Sequence, residues 1–163
     1  MNPRFLTPAT FVLVLGSALV AGVFFAFSSF VMDALARLPA ARGIAAMQSI
    51  NVAVLGSGFL AALLGTAAFG SVVAAIAMAS QRTPASALLV TGALLHVLGV
   101  VIVTMLANVP RNEALALLDP DASGAAAEWA RYVVEWTRWN HVRTLASLAG
   151  TASFALALVV RRT

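Results

Sequence analysis

The sequence has 163 residues, 61% hydrophobic and 10% charged, with a mean hydropathy of +0.96 and a net charge of +4 at neutral pH. Soluble domains carry roughly 25% charged residues, so composition excludes a soluble globular protein and leaves room for one domain of four membrane spans and two modest loops. The positive charge is all arginine, and the absence of cysteine excludes disulfides, thiolate catalysis and thiolate metal ligation.

The first apolar run, residues 9–32, contains no charge and is long enough to span. Ala26-Phe27-Ser28 imitates a leader-cleavage site, but the run exceeds the roughly 7–15 apolar residues of a signal peptide, so a retained helix is expected. Asp33 to Pro39 forms a short polar connection, and Pro39 is suited to begin a helix. That helix is expected to pass through Gln48 and Asn51 and enter a second span, residues 52–79, without a break. Gly58, Ala62, Thr66, Gly70 and Ala74 recur every fourth residue along it. Such a stripe of small residues fits packing inside the bundle and a homo-oligomer interface equally well.

Gln81-Arg82-Thr83-Pro84 marks a tight turn into a third span, residues 85–107. Pro110 is expected to stop that helix, with Asn112 capping a new one. Most of the charge lies between Asn108 and Trp139, where the turn Asp119-Pro120-Asp121-Ala122-Ser123-Gly124 divides a partly helical extramembrane loop. From Ala125 a helix is expected to carry Glu128/Arg131 and Arg131/Glu135 pairs and to continue into the fourth span, residues 140–160. The fold class is therefore all-α, an integral membrane four-helix bundle. Arg4, Arg82, Arg161 and Arg162 mark one side, and Arg37, Arg42, Arg111, Arg131 and Arg138 the other. Their number does not decide orientation. Their density on the short acid-free segments favours cytoplasmic termini, with the cell membrane as location.

Trp129, Tyr132, Trp136, Asn140, Arg143 and Ser147 share one helical face. An aromatic belt with a snorkelling arginine is the bland account of that face. Asn140 and Arg143 lie on its deep continuation, and an arginine there costs about 2.5–3.5 kcal/mol on insertion scales, which argues for a partner or a task. Gln48, Asn51 and Asn112 fall at the same end of the bundle. Together they predict a small polar pocket roofed by aromatics, with Arg143 as its fixed charge. His96 is alone in the third span, where a neutral imidazole bonded to Ser or Thr is the bland alternative to a ligand-binding role. His141 points away from the Asn140–Arg143 face.

The sequence lacks the carboxylate and Glu-x-x-His set of a bundle di-metal site, a phosphate-binding loop, a nucleophile elbow and HExxH, so no metal site is expected. It also lacks the basic, aromatic-interleaved run of a nucleic-acid binder. The expected partners are the lipid bilayer and a small aromatic or lipophilic molecule.

Met47-Gln48-Ser49-Ile50-Asn51, Asn108-Val109-Pro110-Arg111-Asn112 and Trp136-Thr137-Arg138-Trp139-Asn140-His141-Val142-Arg143 together resemble the anthrone oxygenase-like family of small four-span membrane proteins. The resemblance covers nearly the whole chain. It implies oxidation of an anthrone to an anthraquinone by O2 with neither organic cofactor nor metal. Its implied catalytic residues are Asn112, Trp136, Asn140 and Arg143, with Gln48 and Asn51 beside them. An anthrone has an acidic CH2 activated by its carbonyl, and its enolate is electron-rich enough to reduce O2 directly. Arg143 and the Asn amides suit an oxyanion. Trp136 and Trp139 suit a stacking wall, with His96 among the substrate-binding candidates. The sequence offers no obvious base, since Glu113 and Glu135 would have to fold inward. A non-catalytic binder or accessory subunit, whose polar cluster locks the bundle, stands as the alternative.

Overall fold

The computed structural model describes residues 3–80 and 82–160, with side chains from Phe5 onward. All regular structure among these residues is helical. Four helices are long and apolar enough to cross a membrane: α1 (Phe5–Ala36), α3 (Gly58–Ser80), α4 (Pro84–Ala116) and α5 (Ala125–Val160). A shorter helix, α2 (Ala40–Ala53), lies between α1 and α3. The chain is a multi-pass membrane protein built as a helical bundle. Leu19, Leu106 and Leu145 are 66–75% exposed on its outer face, as lipid contact requires.

Neighbouring spans run antiparallel. Ser17 on α1 meets Thr151 on α5, and Ser28, further along α1, meets Thr144. On α4, Gly92 faces Phe154, Thr104 meets Arg143 and Arg111 meets Glu135, again in descending order along α5. The deep part of the small-residue stripe turns inward: Thr66, Gly70 and Ala74 are buried. A Cβ at Gly16 of α1 would collide with Thr66, and one at Gly70 would touch Leu13 and Phe154. That deep part of the stripe therefore serves close packing within the bundle.

Three expectations from the sequence are corrected. The second helix does not run unbroken into the membrane. Gly56 and Gly58 flank Ser57, whose backbone is extended (φ −91°, ψ 155°) and whose Oγ accepts from the Leu60 amide. Weak helix formers around a capping serine explain the break. Pro110 does not stop the third span, because α4 continues to Ala116, and Asn112 sits inside it rather than at a cap. A π-helical turn, Thr104–Asn108, ends two residues before Pro110. That widened turn displaces the carbonyl with which the proline ring would otherwise clash. Finally, Arg131 pairs with Glu128 as expected, but Glu135 pairs with Arg111 at 3.0 Å.

The expected loop break stands at residues 117–124, ending on Gly124 (φ 93°), and α5 then runs 36 residues. At 1.5 Å per residue it is about 54 Å long, so nearly half of it projects beyond a hydrocarbon core of roughly 30 Å. The projecting part is covered by α2. Gly43 makes this possible, since a Cβ there would stand 2.8 Å from the Trp129 ring. Met32, Ile44, Met47 and Leu115 pack with Trp129, Tyr132 and Trp136 in one buried cluster. The Arg82 turn lies at the bundle end where α1 starts and α5 finishes. Gln81, Arg161, Arg162 and the Arg4 side chain lie outside what is described.

Candidate functional site

Where the aromatic cluster meets the membrane-embedded bundle, polar groups from α1, α4 and α5 converge on Arg143. This side chain is 5% exposed. Its Nη2 donates to Asn140 Oδ1 (2.8 Å) and its Nη1 to Thr104 Oγ1 (3.3 Å), while Nε is buried without a partner. The guanidinium carbon lies 4.4 Å from the Phe24 ring centroid and 5.0 Å from that of Trp136. Ring faces are electron-rich, so both contacts attract the cation. Among the described residues no carboxylate pairs with it; the two ion pairs involve other arginines. A buried guanidinium held by neutral groups and left with a free N–H is a donor waiting for an acceptor.

Asn140 fixes this arrangement. Its Nδ2 donates to the Phe24 carbonyl (2.8 Å) and to Ser28 Oγ (2.7 Å). The Phe24 carbonyl stands just ahead of a π-helical turn, Phe27–Val31, where backbone bonds leave the regular ladder. Thr144 Oγ1 donates to the Asn140 carbonyl, so its 3.0 Å contact with Ser28 is a bond that Ser28 donates. Every polar atom of the Asn140 amide is thereby engaged, through a single three-residue step from Asn140 to Arg143 on one helical face.

One turn nearer the aromatic end, Asn112 Oδ1 accepts from both Tyr132 Oη and Trp136 Nε1, each at 2.9 Å. Asn51 approaches the Tyr132 hydroxyl, and its own Nδ2 is buried without a partner. Asn108, 1% exposed, donates to the Trp136 carbonyl at 3.3 Å and leaves Oδ1 unpaired. Trp129, Tyr132 and Trp136 form a stacked ladder, with centroid separations of 5.6 and 6.4 Å.

The other predicted residues sit elsewhere. Gln48 spends its amide nitrogen on the Leu115 and Leu118 carbonyls (2.8 and 2.9 Å), capping the end of α4. Trp139 is 37% exposed, whereas Trp136 is buried. His96 is fully buried two helical turns from Thr104, beside the Leu63 backbone, with neither ring nitrogen meeting a hydrogen-bond partner. Glu113 is exposed, whereas Glu135 lines a cleft of about 350 Å3 between the end of α4 and the projecting part of α5. The described residues contain no group of three or more His, Cys, Asp or Glu side chains placed to hold a metal ion.

The sequence model of the anthrone oxygenase family matches residues 56–153. The chain belongs to that family. No curated protein and no solved structure matches it. The part matched to the anthrone oxygenase model contains Asn112, Trp136, Asn140 and Arg143, while Phe24, Ser28, Gln48 and Asn51 precede it. In this anthrone oxygenase family member, therefore, the α1 groups that hold Asn140 lie outside the matched region. Sequence reasoning missed Phe24, Ser28, Thr104 and Asn108 as parts of the cluster. Asn108 stood within the motif that carried the resemblance, and Thr104 precedes it by four residues on the same helical face.

Proposed function

We propose that the protein is a membrane-embedded monooxygenase that oxidises an anthrone-like aromatic with O2, the reaction implied by its family. The observation that carries the reading is the buried Arg143 guanidinium, with no anion beside it and one N–H unpaired. Loss of a CH2 proton to solvent places negative charge on the ring carbonyl oxygen, and the peroxide formed later takes a proton back. A guanidinium preorganised by Asn140 and Thr104 stabilises that oxygen at little reorganisation cost. The enolate then delivers two electrons to O2, a hydroperoxide forms at the former CH2 carbon, and loss of water leaves the quinone. The balance is anthrone plus O2 giving anthraquinone plus water. Phe24 and Trp136 supply flat aromatic walls beside the charge.

Purified protein is to be mixed with anthrone under air and quinone absorbance followed. Arg143→Ala should lower the rate at least tenfold, and Arg143→Lys should restore only part of it, because an ammonium lacks the planar, rigid donor fork of a guanidinium. Wild type no faster than folded Arg143→Ala would sink the reading for this substrate class.

One observation favours a second role for part of the cluster. The Asn140 amide is fully bonded across α1 and α5, which suits a lock on the bundle more than a group that meets substrate. A non-catalytic binder or accessory protein would need that lock as well. Both termini on the cytoplasmic side of the cell membrane, with the aromatic cluster facing outward, remains our orientation; protease accessibility of the loop at residues 117–124 in intact cells tests it.

A further inference from the structure

A charge buried among helices has to be balanced, by a carboxylate of the chain, by a lipid headgroup or by an ion taken from solution. The Arg143 guanidinium has neither of the first two. Of the chain's six acidic residues, Asp33, Glu113, Asp119, Asp121 and Glu128 are exposed, and Glu135 is taken by Arg111. Headgroups are reached by side chains that snorkel outward. Arg143 is instead 5% exposed, bonded to Asn140, with the Phe24 and Trp136 rings beside it. Shedding the proton is no escape, because arginine stays charged in proteins.

The cluster is also unevenly tied. The bonds that Asn140 donates to α1 are 2.8 and 2.7 Å long. The two that join α4 to α5 here, Arg143 to Thr104 and Asn108 to the Trp136 carbonyl, are both 3.3 Å. Thr104 and Asn108 belong to one π-helical turn, a feature that collects at functional sites. The α4 side is therefore the one able to give way around the unpaired Nε–H.

We infer that Arg143 binds a small, weakly hydrated monovalent anion of the nitrate or iodide kind, which accepts from that Nε–H. One guanidinium balances one negative charge. Aromatic walls return little of an anion's hydration, so ions that hold water loosely enter at least cost and sulfate is disfavoured. The site rests on the guanidinium and not on the oxygenase reading. Only its consequence for turnover rests on that reading: the inorganic anion takes the place of the enolate oxygen and inhibits competitively.

Equilibrium dialysis of radiolabelled iodide against the full chain in maltoside micelles counts binding directly, with ionic strength held constant by gluconate. Wild type should bind one iodide per chain saturably, and nitrate should displace it at least tenfold better than sulfate. Arg143→Gln should abolish binding, while Arg131→Gln, at an exposed arginine, should leave it intact. Thr104→Val keeps the side-chain shape but removes the acceptor of Nη1, leaving the guanidinium a second unpaired N–H. It should tighten iodide binding at least threefold with far-UV circular dichroism unchanged, and it decides the matter if Arg143→Gln fails to fold. Absence of saturable binding, sulfate competing as well as nitrate, or loss of binding in folded Arg131→Gln overturns the proposal. So does binding retained by folded Arg143→Gln, or not tightened by Thr104→Val. Anthrone oxidation by the same proteins separates the two readings. Iodide binding without turnover keeps the anion site and sinks the oxygenase. Turnover that saturating nitrate does not slow keeps the oxygenase and sinks the anion site at Arg143.

Discussion

Asn140→Leu removes an amide of similar volume from the point where α1, α4 and α5 meet. Three bonds disappear: Nδ2 to the Phe24 carbonyl at 2.8 Å, Nδ2 to Ser28 Oγ at 2.7 Å, and Oδ1 from Arg143 Nη2 at 2.8 Å. Side-chain hydrogen bonds in a bundle within lipid average about 0.6 kcal/mol and reach about 1.7. The bond from the guanidinium belongs at the upper end, because a charged donor is left buried when its acceptor goes. The loss expected is therefore about 2–4 kcal/mol, on the same grounds. Unfolding in mixed micelles, with the SDS fraction raised stepwise and helicity followed by circular dichroism, measures it. Ser28→Ala in the Asn140→Leu background should then cost less than in wild type, since one of its partners is already gone. A folded Asn140→Leu protein within about 0.5 kcal/mol of wild type, below the usual value of even one such bond, would refute the lock. If that protein had also lost quinone formation, Asn140 would belong with the reacting groups instead.

Asn112→Ala should destabilise the aromatic end by about 1–3 kcal/mol, because Tyr132 and Trp136 lose their shared acceptor, whereas Asn112→Asp keeps that acceptor and should stay close to wild type; the same unfolding assay compares them. Gly92→Ala puts a Cβ 2.5–2.9 Å from the buried Phe154 ring and should cost about 1–3 kcal/mol, read as a lower midpoint in mixed micelles. Glu135→Gln breaks an ion pair whose side chains are 29% and 45% exposed, so a stability loss above about 1 kcal/mol would contradict its superficial character.

The four long helices are legible because lipid imposes both length and composition, and the runs beginning near residues 9, 85 and 140 satisfy both. The face joining Asn140 to Arg143 is legible for a similar reason, since three residues on a helix bring side chains together whatever surrounds them. What the sequence does not display is the widened turn. Residues 27–31 and 104–108 read as ordinary apolar helix, yet the first follows a carbonyl that holds Asn140, and the second lets α4 continue past Pro110. The partners of Glu135 and Gln48 were equally hidden. Each reaches a residue far away in sequence, and local spacing offered Glu135 a nearer alternative in Arg131.

The dependence of Asn140 on Phe24 and Ser28 also bears on how the chain assembles in the membrane. α5 carries an arginine and an asparagine toward hydrocarbon, and on its own it would be the most expensive of the four spans to insert. The groups that receive those side chains belong to α1, which is synthesised long before α5 leaves the ribosome. By the time the costly helix arrives, its receptor is already in the bilayer. Insertion of α5 is then a docking event, and a lesion in α1 at Ser28 should show itself first as failure of the distant fourth span to integrate.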